Sequence, residues 1–533
     1  MPPVNSPGQR PRALVAAISL ALAASGAHAA TFSVTSSDDA GPGTLRQAIV
    51  DANSQAGPHV IEMSAISGDT IALKSDLPHI YGEDVELQGS QVTLAGNITP
   101  FGTNKYGCLG VEHAALTVSD INITGCDGPG IHSYASDLQV SGSTITGNSS
   151  ELGGGIYAFD STLTISDTTI SDNSAAYAGG GIYAAGNLTI SDSAISDNSA
   201  DEYGGGILFV DGDLTISDST ISGNSAAYEG GGGVYARAFG AGASAHIERT
   251  VVAGNDANRT GGLSIMDFET ARLIDSRVSD NTATYYMGGI NFFIEGGNAQ
   301  LTISGSTLSG NSAVSWAGAG AVAIASYTGS GQATIRNTTV SGNSGGYLGG
   351  LNVAMYGSGN EAILIDGVTV TNNDGDGTGG LNVWSYTGGS AGFEIRNSII
   401  AGNTSSGGDE DLGMSYGSVD VDVNHTLLGA PPSTSDFILD AVSQTLEGKD
   451  PVLGPLGDNG GPTPTHLPGS SGAGVDVIPS GASGCGGDFD IDQRGEPRPG
   501  SESSGCDLGS VELQNDPVED EIFQDRFEEA ESL

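Results

Sequence analysis

The sequence predicts an all-β fold, a right-handed parallel β-helix of about eleven three-stranded coils, and three observations support this prediction. First, one phrase recurs along the chain, as in LTISDSAISDNS at residues 188–199. Second, each copy places one aliphatic residue three positions before an Asn and another aliphatic five positions earlier still. Third, the chain is rich in Gly, with 85 of 533 residues, and only 15% of its residues are charged, a composition that disfavours helices.

The aligned triplets form an uninterrupted series in which the Asn residues are 25 to 32 positions apart. This spacing is typical of one β-helix coil, and successive coils lie about 4.8 Å apart. An earlier triplet, Val118/Ile123/Cys126, carries Cys in place of the Asn. The triplets with Asn are Val140/Ile145/Asn148, Ile165/Ile170/Asn173, Ile190/Ile195/Asn198, Ile216/Ile221/Asn224, Ile247/Val252/Asn255, Leu273/Val278/Asn281, Ile303/Leu308/Asn311, Ile335/Val340/Asn343, Ile365/Val370/Asn373 and Ile395/Ile400/Asn403.

The pattern inside one coil predicts three short strands and three bends. Alternation of apolar and hydroxyl residues, as in Leu188-Thr189-Ile190, indicates the first strand. The alternation changes parity before Ile195, which indicates a bend and a second strand. A variable loop then leads to Gly-Gly-aliphatic, as in Gly205-Gly206-Ile207, which begins the third strand. Five aspartates recur at the first bend, a recurrence typical of turn chemistry: Asp120, Asp167, Asp192, Asp218 and Asp275.

The ten Asn residues are interpreted as structural. Asn tolerates left-handed backbone angles at a tight corner, and its amide can both donate and accept hydrogen bonds. Stacked one coil apart, such amides form a ladder along the axis of the β-helix.

The N-terminal sequence predicts a secretory signal peptide at residues 1–30. Arg10 and Arg12 precede an apolar run that ends at Ala24, and Ala27-His28-Ala29 offers a cleavage signal. No later segment is long enough to span a membrane, so we expect an exported mature chain without a transmembrane segment. The acidic excess, 63 residues against 16 basic ones, excludes nucleic acid as a partner.

The four cysteines fall into two local pairs, Cys108 with Cys126 and Cys485 with Cys506. Disulfides fit an oxidising compartment, and free thiols or a metal site are the alternative. Thr44 and Gln47 have capping-box spacing, and a helix is predicted to follow, with one apolar stripe formed by Leu45, Ala48, Ile49 and Ala52.

The predicted organisation has five parts. It comprises the signal peptide at 1–30, an N-terminal cap with the first coils at 31–100, β-helix repeats at 101–430, a C-terminal capping module at 431–515 and an acidic tail at 516–533.

Three stretches resemble a known group of bacterial secreted and surface proteins. Gly43–Ile49, GTLRQAI, is similar to the "SLREAI" stretch that opens many of them. Ile170–Asn173 with Gly180-Gly181-Ile182 resembles the paired motifs of polymorphic outer-membrane protein repeats. DNGGPT at 458–463 is similar to the start of a C-terminal module that continues here as Asp492–Gly495 (DQRG), Arg498-Pro499 and Cys506–Gly509 (CDLG). The resemblance implies a right-handed parallel β-helix at the cell surface, often adhesin-like.

Longer loops after the third strand of the later coils are the predicted binding surface, because loops on one side of a solenoid often bind its ligand. Aromatic residues accompany these loops and suit sugar rings, so glycans or cell-surface polymers are the expected partners. The alternative is that the rings pack beneath their own loops. The candidate binding residues are Phe292, Phe293, Tyr327, Tyr356, Trp384 and Tyr386.

The sequence leaves open an enzymatic alternative, a polysaccharide lyase or glycoside hydrolase of the β-helix type. Arg336, Asp366 and Arg396 occupy one position in three successive coils and are weak catalytic candidates, with a structural salt-bridge ladder as the favoured interpretation. No cofactor is expected, although Ca²⁺ is a weak candidate at Asp488, Asp490 and Asp492, which lack the Gly and the closing Glu of an EF-hand loop.

Overall fold

Aliphatic residues one coil apart stack on each other in the interior of the fold, as the repeat predicts. Ile165 pairs in register with Ile190, and Ile190 with Ile216, and all three side chains are fully buried. In this computed structural model the described residues are 29–96, 107–294, 299–315, 318–320, 322–326, 331–355, 362–385, 392–415, 420–432, 438–439, 444–501 and 503–514. The predicted signal peptide and acidic tail lie almost wholly outside them.

The chain winds into a parallel β-solenoid with three parallel sheets of 27, 10 and 13 strands, here called sheets 1, 2 and 3. Sheet 1 holds both aliphatic positions of each repeat. Its strands are Ala30–Ser33, His59–Glu62, Thr70–Leu73, Val85–Gly96, Ala115–Thr124, Asp137–Ser141, Thr144–Thr146, Thr162–Ser166, Thr169–Ser171, Leu188–Ser191, Ala194–Ser196, Leu214–Ser217, Thr220–Ser222, Ser244–Glu248, Val251–Ala253, Thr270–Ile274, Arg277–Ser279, Gln300–Ser304, Thr307–Ser309, Gln332–Ser341, Ala362–Thr371, Gly392–Arg396, Ile399–Ile400, Asp420–Asn424, Leu427–Leu428, Ile438–Leu439 and Leu446–Glu447.

Sheet 2 follows the Asn corner, where the sequence indicated only a variable loop. Most of its strands are only two residues long, a polar residue followed by a buried Ala or by Gly or Ser, which is too short for an alternation to be recognised in the sequence. They are Ser149–Leu152, Ser174–Ala178, Ser199–Ala200, Ser225–Ala226, Asp256–Ala257, Thr282–Ala283, Ser312–Ala313, Ser344–Gly345, Asp374–Gly375 and Thr404–Ser405.

Sheet 3 begins after the Gly-Gly pair, as predicted. Its strands are Ile80–Tyr81, Leu109–Glu112, Ile131–Tyr134, Ile156–Phe159, Ile182–Ala185, Ile207–Val210, Val234–Arg237, Leu263–Met266, Ile290–Ile294, Val322–Ser326, Leu351–Met355, Leu381–Ser385 and Leu412–Ser415. Thirteen strands correspond to about thirteen turns rather than eleven, because the first and last coils lack the Asn by which the repeats were aligned.

The predicted helix is present as Leu45–Asn53, the only α-helix among the described residues. The hydroxyl of Thr44 caps it by accepting the backbone N–H of Gln47 at 3.3 Å. Leu45, Ala48, Ile49 and Ala52 are buried and join the core of the solenoid, as the apolar stripe predicts. A single 3₁₀ turn follows at Ser64–Ile66. No helix in the described part of the chain combines the length and apolar character needed to cross a membrane.

In each coil of the Asn series, the first bend and the Asn corner both contain a left-handed residue. The five predicted aspartates of the first bend all have positive φ, from 47° to 52°. At the second corner the left-handed residue is the one that precedes the Asn, such as Gly147, Asp172 or Asp197. The expectation that the Asn itself adopts the left-handed conformation is therefore wrong. The correction applies to every Asn of the series, none of which has a positive φ: Asn148, Asn173, Asn198, Asn224, Asn255, Asn281, Asn311, Asn343, Asn373 and Asn403.

The ten Asn side chains form the predicted ladder, which lies in the interior. Asn148 donates through Nδ2 to Oδ1 of Asn173 at 2.9 Å, and its backbone N–H donates to the same oxygen at 3.0 Å. The amide of Asn173 also donates to the carbonyl of Ile145 in the preceding coil at 2.9 Å. Each buried amide is thus satisfied by its own repeat neighbours.

The side-chain bond of the ladder recurs on every later rung at 2.8–3.0 Å. Its donor and acceptor pairs are Asn173 to Asn198, Asn198 to Asn224, Asn224 to Asn255, Asn255 to Asn281, Asn281 to Asn311, Asn311 to Asn343, Asn343 to Asn373 and Asn373 to Asn403. All ten Asn residues are at most 3% exposed, so none of them can reach a ligand on the surface.

The C-terminal segment packs along the side of the solenoid, on the outer face of sheet 1. Two antiparallel strand pairs shape it, Leu453–Gly457 with Thr465–Pro468 and Ile478–Pro479 with Gly505–Cys506. Thr339 donates to Oε1 of Gln493 at 2.7 Å, far from the last coil.

An apolar cluster beneath the same segment joins it to the solenoid. In this cluster Phe489 and Leu508 pack with Ile399 and Leu427, whose side chains face away from the solenoid interior. The first part of the 431–515 segment still pairs with sheet 1, and the described residues after Leu453 cover a lateral face of the later coils.

Both predicted disulfides are present. Cys108 bonds Cys126 beside the first rung of the ladder, and Cys485 bonds Cys506 inside the C-terminal segment.

Candidate ligand-binding surface

We use the name outer row for the column of sheet 3 residues that are in register with Phe159, the fourth residue of its strand. Strand register runs from Tyr81 through Glu112 to Tyr134 and then to Phe159. Alternation along Ile156–Phe159 places Tyr157 and Phe159 outside and Ile156 and Ala158 in the core. The sequence thus brings aromatic rings from separate coils onto one surface.

Four rings of the first coils form a continuous aromatic patch: Tyr81, His113, Tyr134 and Phe159. The ring of His113, the residue after Glu112, lies between the rings of Tyr81 and Tyr134. Its centroid is 5.9 Å from that of Tyr81 and 5.7 Å from that of Tyr134, and both contacts are edge to face. Tyr134 and Phe159 lie parallel with centroids 6.1 Å apart. Tyr81 is 57% exposed, and Tyr134 and Phe159 are each 40% exposed. At three coil spacings of about 4.8 Å, the patch is about 14 Å long.

A second column of rings supports the patch from the neighbouring outward position. His132, Tyr157 and Tyr183 are stacked, with successive centroids 5.1 Å apart. Burial, followed by the proximity of His79, lowers the pKa of His132 to about 4, so its imidazole is neutral at neutral pH. Burial likewise raises the pKa of the Tyr157 and Tyr183 phenols. These three rings are therefore uncharged at neutral pH.

Glycine at one position allows this column to begin at His79. A Cβ on Gly110 would lie 2.6 Å from the His79 ring, so a larger residue would push the ring aside. With Gly110 in place, the rings of His79 and His132 are 5.8 Å apart, and Nδ1 of His79 lies 3.1 Å from the Glu112 carboxylate.

An open groove of about 550 Å³ runs beside the aromatic patch. It follows the turn between sheet 3 and sheet 1, so each wall residue comes directly after or shortly after an outer-row residue. The residues that line it are Asp84, His113, Ala114, Ala115, Ala135, Ser136, Asp137, Asp160, Ser161, Thr162, Gly186 and Asn187. Aromatic rings and a polar groove thus share one edge of the solenoid, an arrangement common in sites for small ligands.

The binding residues predicted from the later coils have different positions. Phe293 and Trp384 are in register with Phe159 through the intervening strands and so belong to the outer row. Their side chains are half-buried. Phe292 is only 3% exposed and packs in the core, so it is not part of a surface. Tyr327, Tyr356 and Tyr386 lie outside the described residues.

The weak catalytic candidates form the salt-bridge ladder that was favoured. Asp366 lies 3.1 Å from Arg396 and 3.5 Å from Arg336. The C-terminal segment covers them, since Arg336 donates to the Asp488 carbonyl and the ring of Phe489 lies 5.7 Å from the Arg336 guanidinium. Asp366 is fully buried, which leaves no room for a substrate at its carboxylate.

The Ca²⁺ candidates do not converge. Asp492 is buried, and its carboxylate accepts the backbone N–H groups of Arg494 and Glu512 and the side chain of Arg494. Asp488 and Asp490 are exposed. Within the described ranges, no group of three or more His, Cys, Asp or Glu residues is arranged to hold a metal ion.

Sequence reasoning missed the aromatic patch of the first coils. The sequence GGIYAF at residues 154–159 could have indicated it. After the Gly-Gly pair, alternation along the strand places the two aromatic residues on the outer face. The longer loops of the later coils instead favoured a binding surface on those coils.

Comparison with known proteins agrees with the fold. Residues 79–246 match the family model for a right-handed β-helix region. No curated protein matches the chain. The matched part includes the aromatic patch and the groove from His79 to Asn187, so this candidate surface is built on right-handed β-helix coils.

Proposed function

We propose that the protein is an exported, non-enzymatic scaffold that binds glycans on the outer face of sheet 3. The observation that carries this proposal is the aromatic patch of Tyr81, His113, Tyr134 and Phe159, exposed in one row beside a polar groove. Flat rings contact the apolar faces of sugars, while neighbouring polar groups receive their hydroxyls. Repetition at the coil spacing suits a polymer more than a single small molecule.

The test is glycan binding by the full chain on an oligosaccharide array, followed by titration of the ligands found. The double variant Tyr134→Ala/Phe159→Ala removes two rings from the patch, and each ring contributes roughly 1 kcal/mol, so we expect at least about a tenfold loss of affinity. Tyr228→Ala/Tyr285→Ala is the matched control, because these tyrosines are 66% and 50% exposed outside the patch. Equal binding by both variants would exclude the patch as the site.

Export is part of the proposal. The predicted signal peptide supports it, and the two disulfides are consistent with an oxidising compartment. The resemblance to outer-membrane protein repeats supports a location at the cell surface. Expression of the complete chain in a bacterial host, with N-terminal sequencing of the product, tests this. We expect the mature chain to begin directly after Ala29 or Ala30, and an uncleaved cytoplasmic product would contradict export.

A glycoside hydrolase or polysaccharide lyase is the second candidate, and the groove is the observation that favours it. Asp84, Asp137 and Asp160 line the groove, and glycoside hydrolysis requires two carboxylates. Incubation with acidic and neutral polysaccharides, with and without Ca²⁺, separates the two functions. New reducing or unsaturated ends that disappear in Asp137→Asn or Asp160→Asn would establish the enzyme.

A further inference from the structure

The groove beside the aromatic patch has an unbalanced negative charge. Among the described residues, none of Asp84, Asp137 and Asp160 has an Arg or Lys partner. One oxygen of Asp84 accepts the Ala115 N–H at 3.0 Å, while Asp137 and Asp160 are exposed. The whole chain carries a formal charge of −47, so no distant excess of basic residues offsets the groove. An anionic polymer is therefore repelled from this surface.

The groove contains both donors and acceptors, and its carboxylates add negative charge. The hydroxyl groups of its floor donate to the protein backbone, from Ser136 to the Tyr134 carbonyl at 2.7 Å and from Ser161 to the Phe159 carbonyl at 2.9 Å. Exposed Thr162 and Asn187 can still donate to a ligand, while the carboxylates supply acceptors that carry negative charge. The complementary ligand presents hydrogen-bond donors and positive charge, and both are properties of an ammonium group.

The charged and aromatic parts of the surface are adjacent in the chain. Phe159 is followed directly by Asp160, and His113 both lines the groove and contacts the Tyr134 ring. A sugar that rests on Phe159 therefore has its substituents next to a carboxylate. The carboxylates do not recur at one register position, because Asp137 is in register with Ala115 on one side and with Thr162 on the other.

We propose that the groove and the aromatic patch together select a glycan that carries free amino groups, a glucosamine-type polymer. This inference rests on the proposed glycan-binding function and adds the chemical class of the ligand. The aromatic rings supply contact with the sugar faces, and Asp137 and Asp160 supply charge-assisted acceptors for the ammonium groups.

The experiment titrates the full chain with four oligosaccharides of equal length. These are a glucosamine oligomer, its fully N-acetylated form, a neutral glucan and a uronic acid oligomer. The test variant is Asp137→Asn/Asp160→Asn, which keeps the side-chain shape and removes two charges. Asp160 has a φ of 52°, which Asn tolerates. Asp167→Asn/Asp192→Asn is the matched control, since both residues are left-handed aspartates at the first bend, away from the groove.

We expect the glucosamine oligomer to bind best and its affinity to fall as NaCl is raised. The Asp137→Asn/Asp160→Asn variant should weaken this binding about tenfold and leave binding of the acetylated form within about twofold. The control variant should leave all affinities unchanged.

Two contrary results are distinguishable. If the acetylated or neutral oligomer binds as well as the amino form and the Asp substitutions have no effect, the amino-sugar inference fails while glycan binding stands. If none of the four oligomers binds and the array is also blank, the proposed function itself fails.

Discussion

The side-chain amide of Asn403 donates to the carboxylate of Asp411 at 2.8 Å, and this bond ends the interior Asn ladder. Asp411 precedes Leu412, which pairs with Leu381, so Asp411 stands where Gly380 stands one coil earlier. In regular coils that Gly lies against the Asn of the next coil, as Gly380 does against Asn403. The carboxylate of Asp411 therefore fills the place of a missing Asn on the next rung.

Substitution of Asp411 by Ala should destabilise the last coils. The Asn403 backbone and side-chain N–H groups and the Ala430 N–H all donate to this carboxylate, and they would lose their acceptor. Unsatisfied buried donors cost about 1–3 kcal/mol each, so we expect a loss of about 3 kcal/mol in the free energy of unfolding. Urea unfolding followed by circular dichroism measures it. Glu410→Ala, an exposed neighbour of the same charge, is the control, and an equal loss in both variants would contradict the end-of-ladder role.

At the first rung of the ladder, cysteines stand at both the Gly position and the Asn position of the repeat. Leu109 pairs with Ile131, so Cys108 stands at the Gly position and Cys126 at the Asn position, and their disulfide replaces the usual contact. Cys126 still donates its backbone N–H to Oδ1 of Asn148 at 3.0 Å. The two ends of the ladder are thus modified at equivalent places, by a disulfide at one end and by a carboxylate at the other.

The double variant Cys108→Gly/Cys126→Asn should restore a regular rung. Loss of the disulfide costs about 3 kcal/mol, and the new Asn recovers about 1–2 kcal/mol by donating to Asn148. We therefore expect its melting temperature to lie between those of the oxidised protein and Cys108→Ala/Cys126→Ala, as measured by calorimetry. No difference between the Gly/Asn and Ala/Ala variants would contradict the equivalence of these positions.

Periodic and local features of this fold could be predicted from the sequence. The stacking of Ile165, Ile190 and Ile216 follows from a repeat, and the cap at Thr44 from residues three positions apart. The left-handed residue before each Asn was missed, although Gly or Asp recurs there, because the Asn offered a competing explanation.

The position of the C-terminal segment could not be predicted, because its contacts are neither periodic nor local. Gln493 contacts Thr339, and Ser510 contacts Thr369, across more than a hundred residues. The binding residues named from the later coils stay a prediction. Phe293 and Trp384 do belong to the outer row, but the patch at Tyr134 and Phe159 depends on strand register that the loops do not reveal.

Asp366→Asn should loosen the C-terminal segment. Asp366 is the shared partner of Arg336 and Arg396 and also accepts from Asn397 at 2.7 Å. Because both guanidinium groups are about a quarter exposed, we expect a loss of about 2 kcal/mol, below the range for a fully buried pair. Hydrogen exchange over residues 480–510 should increase, whereas Glu394→Gln, at a 40% exposed partner of Arg396, should change it little. Unchanged exchange in Asp366→Asn would show that the ion pairs do not hold the segment.

A pH dependence is expected at Glu512 in the C-terminal segment. Burial raises the pKa of this carboxyl from 4.5 to about 7, the negative charge of Asp507 adds to the increase, and the adjacent Arg498 partly offsets it. The folded state therefore binds this proton more tightly than the unfolded state does. Stability contributed by the protonated form is present below about pH 4.5 and is lost as pH rises through about 7.

The expected decrease in the free energy of unfolding between these two pH values is about 3 kcal/mol. Glu512→Gln carries no titrating proton, and one side-chain oxygen remains to accept from Gly500 or Asp507. The variant should therefore show a flatter profile of melting temperature between pH 4.5 and 8 than the unsubstituted protein. Glu496→Gln, an exposed position on the same segment, should reproduce the original profile. If the stability of Glu512→Gln decreases with pH by the same amount, another group must cause the pH dependence, because this variant has no titrating carboxyl at position 512.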